Sequence, residues 1–180
     1  MSYLFRQILF CILVIVLTLP FALAQDIAPN RILSNSEDWR DVYSVMQYGV
    51  LQGKPTNFLV SSRHATLITN QIPAGENLWV FSSERVPFIV GYESLLAGKG
   101  YTAQEFTFEN INLELAKRLT GITKFIIVDD SYGYNAISVA PYAALTKSFV
   151  LFTDRDNVDD VVDFLDSITL ESVLIYGPLD

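Results

Sequence analysis

The chain has 180 residues, 51% of them hydrophobic, and a formal net charge of −8 at pH 7. With no cluster of Lys and Arg, that charge excludes nucleic acid as a partner, because affinity for phosphate backbones comes from grouped basic side chains. The single cysteine, Cys11, lies in an apolar N-terminal stretch, so beyond it disulfides, thiolate catalysis and zinc–thiolate sites are excluded together, and the fold must rest on its hydrophobic core.

Residues 1–24 read as a secretory signal. Arg6 supplies the positive start, 8–19 is apolar, Pro20 breaks the stretch, and Ala22-Leu23-Ala24 is a small-residue cleavage site. Cleavage before Gln25 leaves no membrane span, and the apolar stretch is shorter than the roughly 20 residues a spanning helix needs. No cysteine follows the site, which excludes a lipoprotein. The chain is therefore expected to be secreted, with 25–31 a polar lead-in.

From Ile32 onward, short apolar runs alternate with amphipathic stretches, the signature of βα units. The runs 57–61, 78–82, 124–128, 148–153 and 172–176 are uninterrupted, as in parallel strands covered on both faces. Between the first strands, Val42, Val45, Met46, Gly49 and Val50 form a helical stripe that Gly53 ends. A helix is predicted over 86–98, interrupted in character by Pro87 and Gly91, then a strand over 101–108. A helix from Asn110 carries Ile111, Leu115, Ala116 and Leu119, with Gly121 past its end. Ala136, Val139, Ala140, Ala143 and Ala144 repeat the first stripe with smaller side chains, which lets that helix sit closer to its sheet. Asp156 or Asn157 caps a last helix bearing Val158, Val161, Val162 and Leu165.

These elements repeat. Residues 41–51 (DVYSVMQYGVL) lie over 135–145 (NAISVAPYAAL) at an offset of 94. With two residues deleted, 58–63 (FLVSSR) then lie over 150–155 (VLFTDR), and 78–81 over 173–176. The prediction is an α/β fold of Rossmann-like parallel-sheet repeats with flanking helices, one over 32–121 and a second over 122–180. By the offset the second unit stops about 35 residues short of the first, so the chain is expected to be the N-terminal piece of a longer protein whose further repeats cover that unit.

The segment 134–144 followed by 149–153 resembles the central motif of the cell wall binding repeat 2 family, a helix of Asp-Ala-Leu type and then a strand ending in Thr, here Thr153. Residues 39–44 are similar to a weaker copy, and 106–116 to the family's closing segment. Ser82-Ser83 and Gly177-Pro178 stand where the family favours Gly-Gly. The resemblance covers about 31–180. It implies a noncatalytic module that anchors exported proteins at the cell surface, on anionic wall polymers or a surface-layer (S-layer) glycan. Sister repeats in the same or neighbouring chains are then its other partners. A polyanion on so acidic a chain needs a basic patch or a divalent cation such as Ca2+; no other cofactor is expected.

Candidate binding residues follow from position. Asp129 and Asp130 lie just after a strand, where open α/β sheets place ligands; they suit a cation, and Tyr132 and Tyr134 suit stacking on sugar rings. The alternative is a polar loop in which Asp130 or Ser131 caps the next helix and Gly133 makes the turn. The corresponding loop in the first unit presents Trp39. Asp41 and Asn135 open equivalent helices, and the exchange of acid for amide favours capping over proton transfer. Arg63 and Arg155 align just past equivalent strands, to contact an anionic polymer or to pair with Asp154 or Asp156. His64, the only histidine, is placed in a loop. No nucleophile elbow or glycine-rich phosphate loop accompanies it, so an enzyme is not expected. Two other readings stand beside the envelope module: scaffold or spacer repeats of a larger surface protein, and a Mg2+-dependent enzyme using Asp129 and Asp130.

Overall fold

The structure, a computed structural model, describes residues 28–177. The signal expected at 1–24 lies outside the described residues, as do 25–27 and 178–180. The elements run β1 (Arg31–Asn35), α1 (Trp39–Leu51), β2 (Thr56–Phe58), α2 (His64–Gln71), β3 (Asn77–Ser83), α3 (Tyr92–Gly98), β4 (Thr102–Phe108), α4 (Ile111–Arg118), β5 (Lys124–Asp129), α5 (Gly133–Thr146), β6 (Phe149–Thr153), α6 (Val158–Asp166) and β7 (Ser172–Tyr176). All strand pairs are parallel, in one sheet ordered β2-β1-β3-β4 and another ordered β6-β5-β7. The second sheet therefore repeats the first three strands of the first, and the fold is the Rossmann-like α/β arrangement expected from the sequence.

The strand register corrects the sequence alignment in one place. Ile32 pairs with Thr56 and Ile126 with Val150, so the offset of 94 continues through the second strand of each unit. The helices that follow begin at His64 and Val158, again 94 apart. No two residues are deleted, and Arg63 corresponds to Asn157 at the helix start, not to Arg155. The expected strand at 57–61 is shorter and earlier, and His64 is the first residue of a helix instead of a loop residue. The helix expected from 86 starts only at Tyr92, because Gly91 turns the chain with φ +68°.

Two apolar faces explain the layering of the first sheet. Ile32 and Phe81 point toward Val45 and Tyr48 of α1 and toward Ile111, Leu115, Ala116 and Leu119 of α4 and its end. Leu33, Leu78 and Val80 point the other way, toward Ala65 and Ile68 of α2 and Tyr92 and Leu96 of α3. The first of these clusters continues without a break into Phe125, Phe149 and Leu151 of the second sheet and Val161, Phe164 and Leu165 of α6. The units thus share a core, each buried Leu, Ile or Phe contributing on the order of 1.5–3 kcal/mol. On the opposite face of the second sheet, Ile126, Val128, Val150 and Phe152 pack on Ala136, Val139 and Ala143 of α5 and on Tyr43 of α1.

The first unit also closes an edge of the second sheet. The outward peptide groups of β6 are met by two side-chain amides. Gln47 Nε2 donates to Ser148 O (3.1 Å) and its Oε1 accepts from Val150 N (2.9 Å). Asn112 Nδ2 donates to Val150 O (2.8 Å) and its Oδ1 accepts from Phe152 N (3.0 Å). Two amides thereby stand in for a neighbouring strand and remove an exposed edge. At the opposite edge, every residue of β7 is solvent-exposed, whereas five of the seven residues of β3 are buried.

Candidate functional site

In the first sheet, α1 covers one face and α2 and α3 the other, so the chain changes face between the adjacent strands β1 and β3. Crevices at such switch points are where open α/β sheets hold ligands. Here the crevice is occupied by the chain's own polar side chains. Asn35 Nδ2 donates to Ser82 Oγ (2.8 Å) and Ile89 O (2.7 Å), and Asn35 Oδ1 accepts from Ile89 N (3.1 Å). Ser82 Oγ donates to Glu105 Oε1 (2.5 Å). Next to it, Ser36 Oγ donates to Asp41 Oδ2 (2.7 Å). Burial pushes the Asp41 carboxyl up to about 6 and the nearby Asp38 charge adds to this, against the hydrogen bonds of Ser36 and Ser83 and the Arg40 charge.

The cap of α1 is Asp38, whose side chain accepts from Arg40 N (2.8 Å). Asp41 lies within the first turn and is not a cap, and neither is its counterpart Asn135. Asn135 instead lies against the chain after β7, with Nδ2 3.6 Å from where a side chain on Gly177 would begin. The start of α5 has no side-chain cap, so Asp130 and Ser131 do not serve there. Asp129 Oδ1 accepts from Ser131 N (2.9 Å), which shapes the loop.

Asp130 is engaged across the units. Arg40 Nη1 donates to Asp130 Oδ2 (2.5 Å) while Arg40 Nη2 holds Asp38 Oδ2 (2.6 Å). Burial raises the Asp130 carboxyl, with help from Asp154 and Asp129, although Arg40 opposes it. Asp38 is also penalised by burial, but its several bonds to Arg40 hold it below the usual carboxylate range. The two equivalent loops meet at the same place: Trp39 packs edge-on against Phe152 (5.2 Å between centroids), and Gly133 approaches the Trp39 ring so closely that a Cβ would lie 3.6 Å away. Beside them Tyr132 and Tyr134 stack at 5.3 Å with planes 19° apart, 57% and 62% exposed.

Between the carboxyl ends of the two sheets lies a cleft of about 820 Å3. Nine carboxylates line it, among them Asp38, Asp41, Asp130, Asp154 and Asp160, against the three cations Arg40, Arg85 and Lys117. Arg85 and Lys117 are paired with Glu109 and Glu114. Among the described residues no three His, Cys, Asp or Glu side chains converge as a metal site would require.

Of the residues singled out from sequence, Trp39, Asp41, Asp129, Asp130, Tyr132, Tyr134 and Asn135 gather around the facing β1–α1 and β5–α5 loops. Arg63 opens α2 and does not line the cleft; Arg155 sits in the turn after β6 between Asp154 and Asp156, which do line it. Sequence reasoning missed Arg40, Gln47 and Asn112. A basic residue one place after Trp39 was visible, but its partner 90 residues away was not. Among the described residues no helix is long and apolar enough to cross a membrane. No family of known proteins matches the chain, and neither does any curated protein or solved structure.

Proposed function

We propose that the chain is a noncatalytic, exported module that attaches its protein to the cell envelope by binding a wall or surface-layer glycan. The observation that carries this reading is the stacked Tyr132–Tyr134 pair, more than half exposed beside Trp39 at the meeting of the two units. Flat, solvent-facing aromatic rings next to hydrogen-bonding loops are suited to the apolar faces of sugars, since an aromatic ring left in water gains by being covered. The resemblance to the cell wall binding repeat 2 family supports the same reading, as does the signal-like start of the chain. Asp38 and Asp130 are held by Arg40 and Asp41 by Ser36, which supports a noncatalytic role for these three carboxylates. The acidic cleft favours a neutral glycan, and a polyanionic polymer would need divalent cations to bridge it.

A glycan array probed with the full chain tests this. Retention on neutral glycans, lost in Tyr132→Ala/Tyr134→Ala, is expected; a blank array together with no binding to envelopes argues directly against it. Stabilisation by Mg2+ or Ca2+ in a thermal-shift titration, lost in Asp129→Asn, would instead favour the metal-dependent reading.

One observation favours a second reading. All of β7 is exposed, Ile175 by 56%, so this edge of the second sheet suits contact with a neighbouring repeat. On that reading the repeats are a scaffold of a larger surface protein, and envelopes would not retain the chain.

A further inference from the structure

The contact between the two units has two unlike halves, and each has a second copy that is uncovered among the described residues. One half is a helix face. Trp39, Tyr43, Gln47 and Leu51 recur every four residues along α1; the first two rings pack on Phe152, Gln47 caps β6 and Leu51 joins the shared core. Across the 94-residue correspondence this stripe becomes Gly133, Ile137, Pro141 and Leu145 of α5, where Ile137 is 70% and Leu145 86% exposed.

The other half is a strand edge, that of β6, whose counterpart is β2. Ile32 N donates to Pro55 O and Leu59 N to Ser34 O, so the alternate residues Thr56 and Phe58 turn their peptide groups outward. They correspond to Val150 and Phe152, and no side chain of the described residues caps them as Gln47 and Asn112 cap β6. Phe58 is 39% exposed and Val60 58%.

We propose that these two surfaces bind each other between copies: the α5 stripe of one molecule takes the β2 edge of a second, with Phe58 seated on Ile137 as Phe152 is seated on Tyr43. A second copy is the occupant because the stripe's counterpart already binds this kind of edge inside the chain. The two surfaces differ, so the contact is heterologous, and a pair of molecules keeps one stripe and one edge free for the next. Pro141 replaces the capping Gln47 and Gly133 replaces Trp39, so the contact rests on apolar side chains while the outward peptide groups of Thr56 and Phe58 keep their water at its rim, and it is smaller and weaker than the one within the chain. A net charge of −8 on each copy opposes association, so added salt strengthens it.

Sedimentation velocity over a concentration series, on the chain purified as its host makes it, tests the proposal. The wild type is expected to gain mass with concentration without stopping at two chains, and more so at high salt. Ile137→Asp and Phe58→Asp, both surface changes whose melting curves check folding, should each sediment as monomers. Mixed in equal amounts they should form a species of two chains, since one retains the edge and the other the stripe. A wild type that stays monomeric at its highest soluble concentration overturns the proposal. So does an assembly that survives in either variant, as pairing through β7 would, or a mixture that remains monomeric.

Discussion

Asn112 is the side chain on which the joint between the units depends most. It is 4% exposed and uses both ends of its amide on β6, while Nδ2 also donates to Ser44 Oγ (2.9 Å). Asn112→Leu keeps the branching and the number of side-chain heavy atoms and removes every one of these bonds. Val150 C=O and Phe152 N–H are then left unpaired at a buried strand edge, each costing about 1–3 kcal/mol. Leucine's own burial offsets part of this, so the net loss is roughly 2–4 kcal/mol. At about 2–4 °C per kcal/mol for a chain of this size, Tm should fall by roughly 5–15 °C. Calorimetry alongside urea unfolding measures both quantities. Gln47→Leu, at a half-buried position where water can take over the cap, should cost about 1 kcal/mol or less. If Asn112→Leu melted within about 1 °C of wild type, well under the shift computed above, the reasoning that amide caps hold the β6 edge would be refuted.

Other expectations are as definite. The Asp41 carboxyl titrates at about 6 in the fold and near 3.9 when unfolded, so the folded state binds its proton more tightly. Its stabilising contribution is full below about pH 4 and is lost as pH rises through about 6, on the order of 3 kcal/mol; urea unfolding of Asp41→Asn across that window should lack this decline, and an identical decline would contradict the assignment. Arg40→Gln removes the opposing charge from Asp130, and carbon-detected NMR titration should find that carboxyl shifted upward; no shift or a downward one would show that Arg40 does not hold it. A Cβ on Gly49 would lie 2.0 Å from Thr56 Cγ2, so Gly49→Ala should destabilise by about 1–3 kcal/mol. Adding Thr56→Ser, which removes that methyl, should restore part of the loss in a double-mutant cycle, and strict additivity would mean the clash is relieved elsewhere.

The α/β class, the repeat and most helices were legible because buried parallel strands read as apolar runs and the stripes of α1 and α5 keep their spacing. The register of β2 was not. Its residues Thr56, Asn57 and Phe58 are half-exposed at a sheet edge and offer one apolar side chain, so the stronger apolar run Phe58-Leu59-Val60 aligned instead with Val150-Leu151-Phe152 and slipped by two. That slip produced the false pairing of Arg63 with Arg155. At the site, the polar loops and their aromatics could be read locally, because strand ends followed by helices locate them. The amide caps and the Arg40 bridge could not, since Gln47 and Asn112 find partners about 100 and 40 residues away that only the packing of one unit on the next brings near.

Cosedimentation of the chain with envelopes from its own source, at several salt and Ca2+ concentrations, tests the central claim most directly. Envelope binding predicts that the chain pellets with the envelopes, and that Tyr132→Ala/Tyr134→Ala stays in the supernatant with an unchanged melting temperature. A chain that never pellets under any condition, or a double variant that pellets as wild type does, would contradict it.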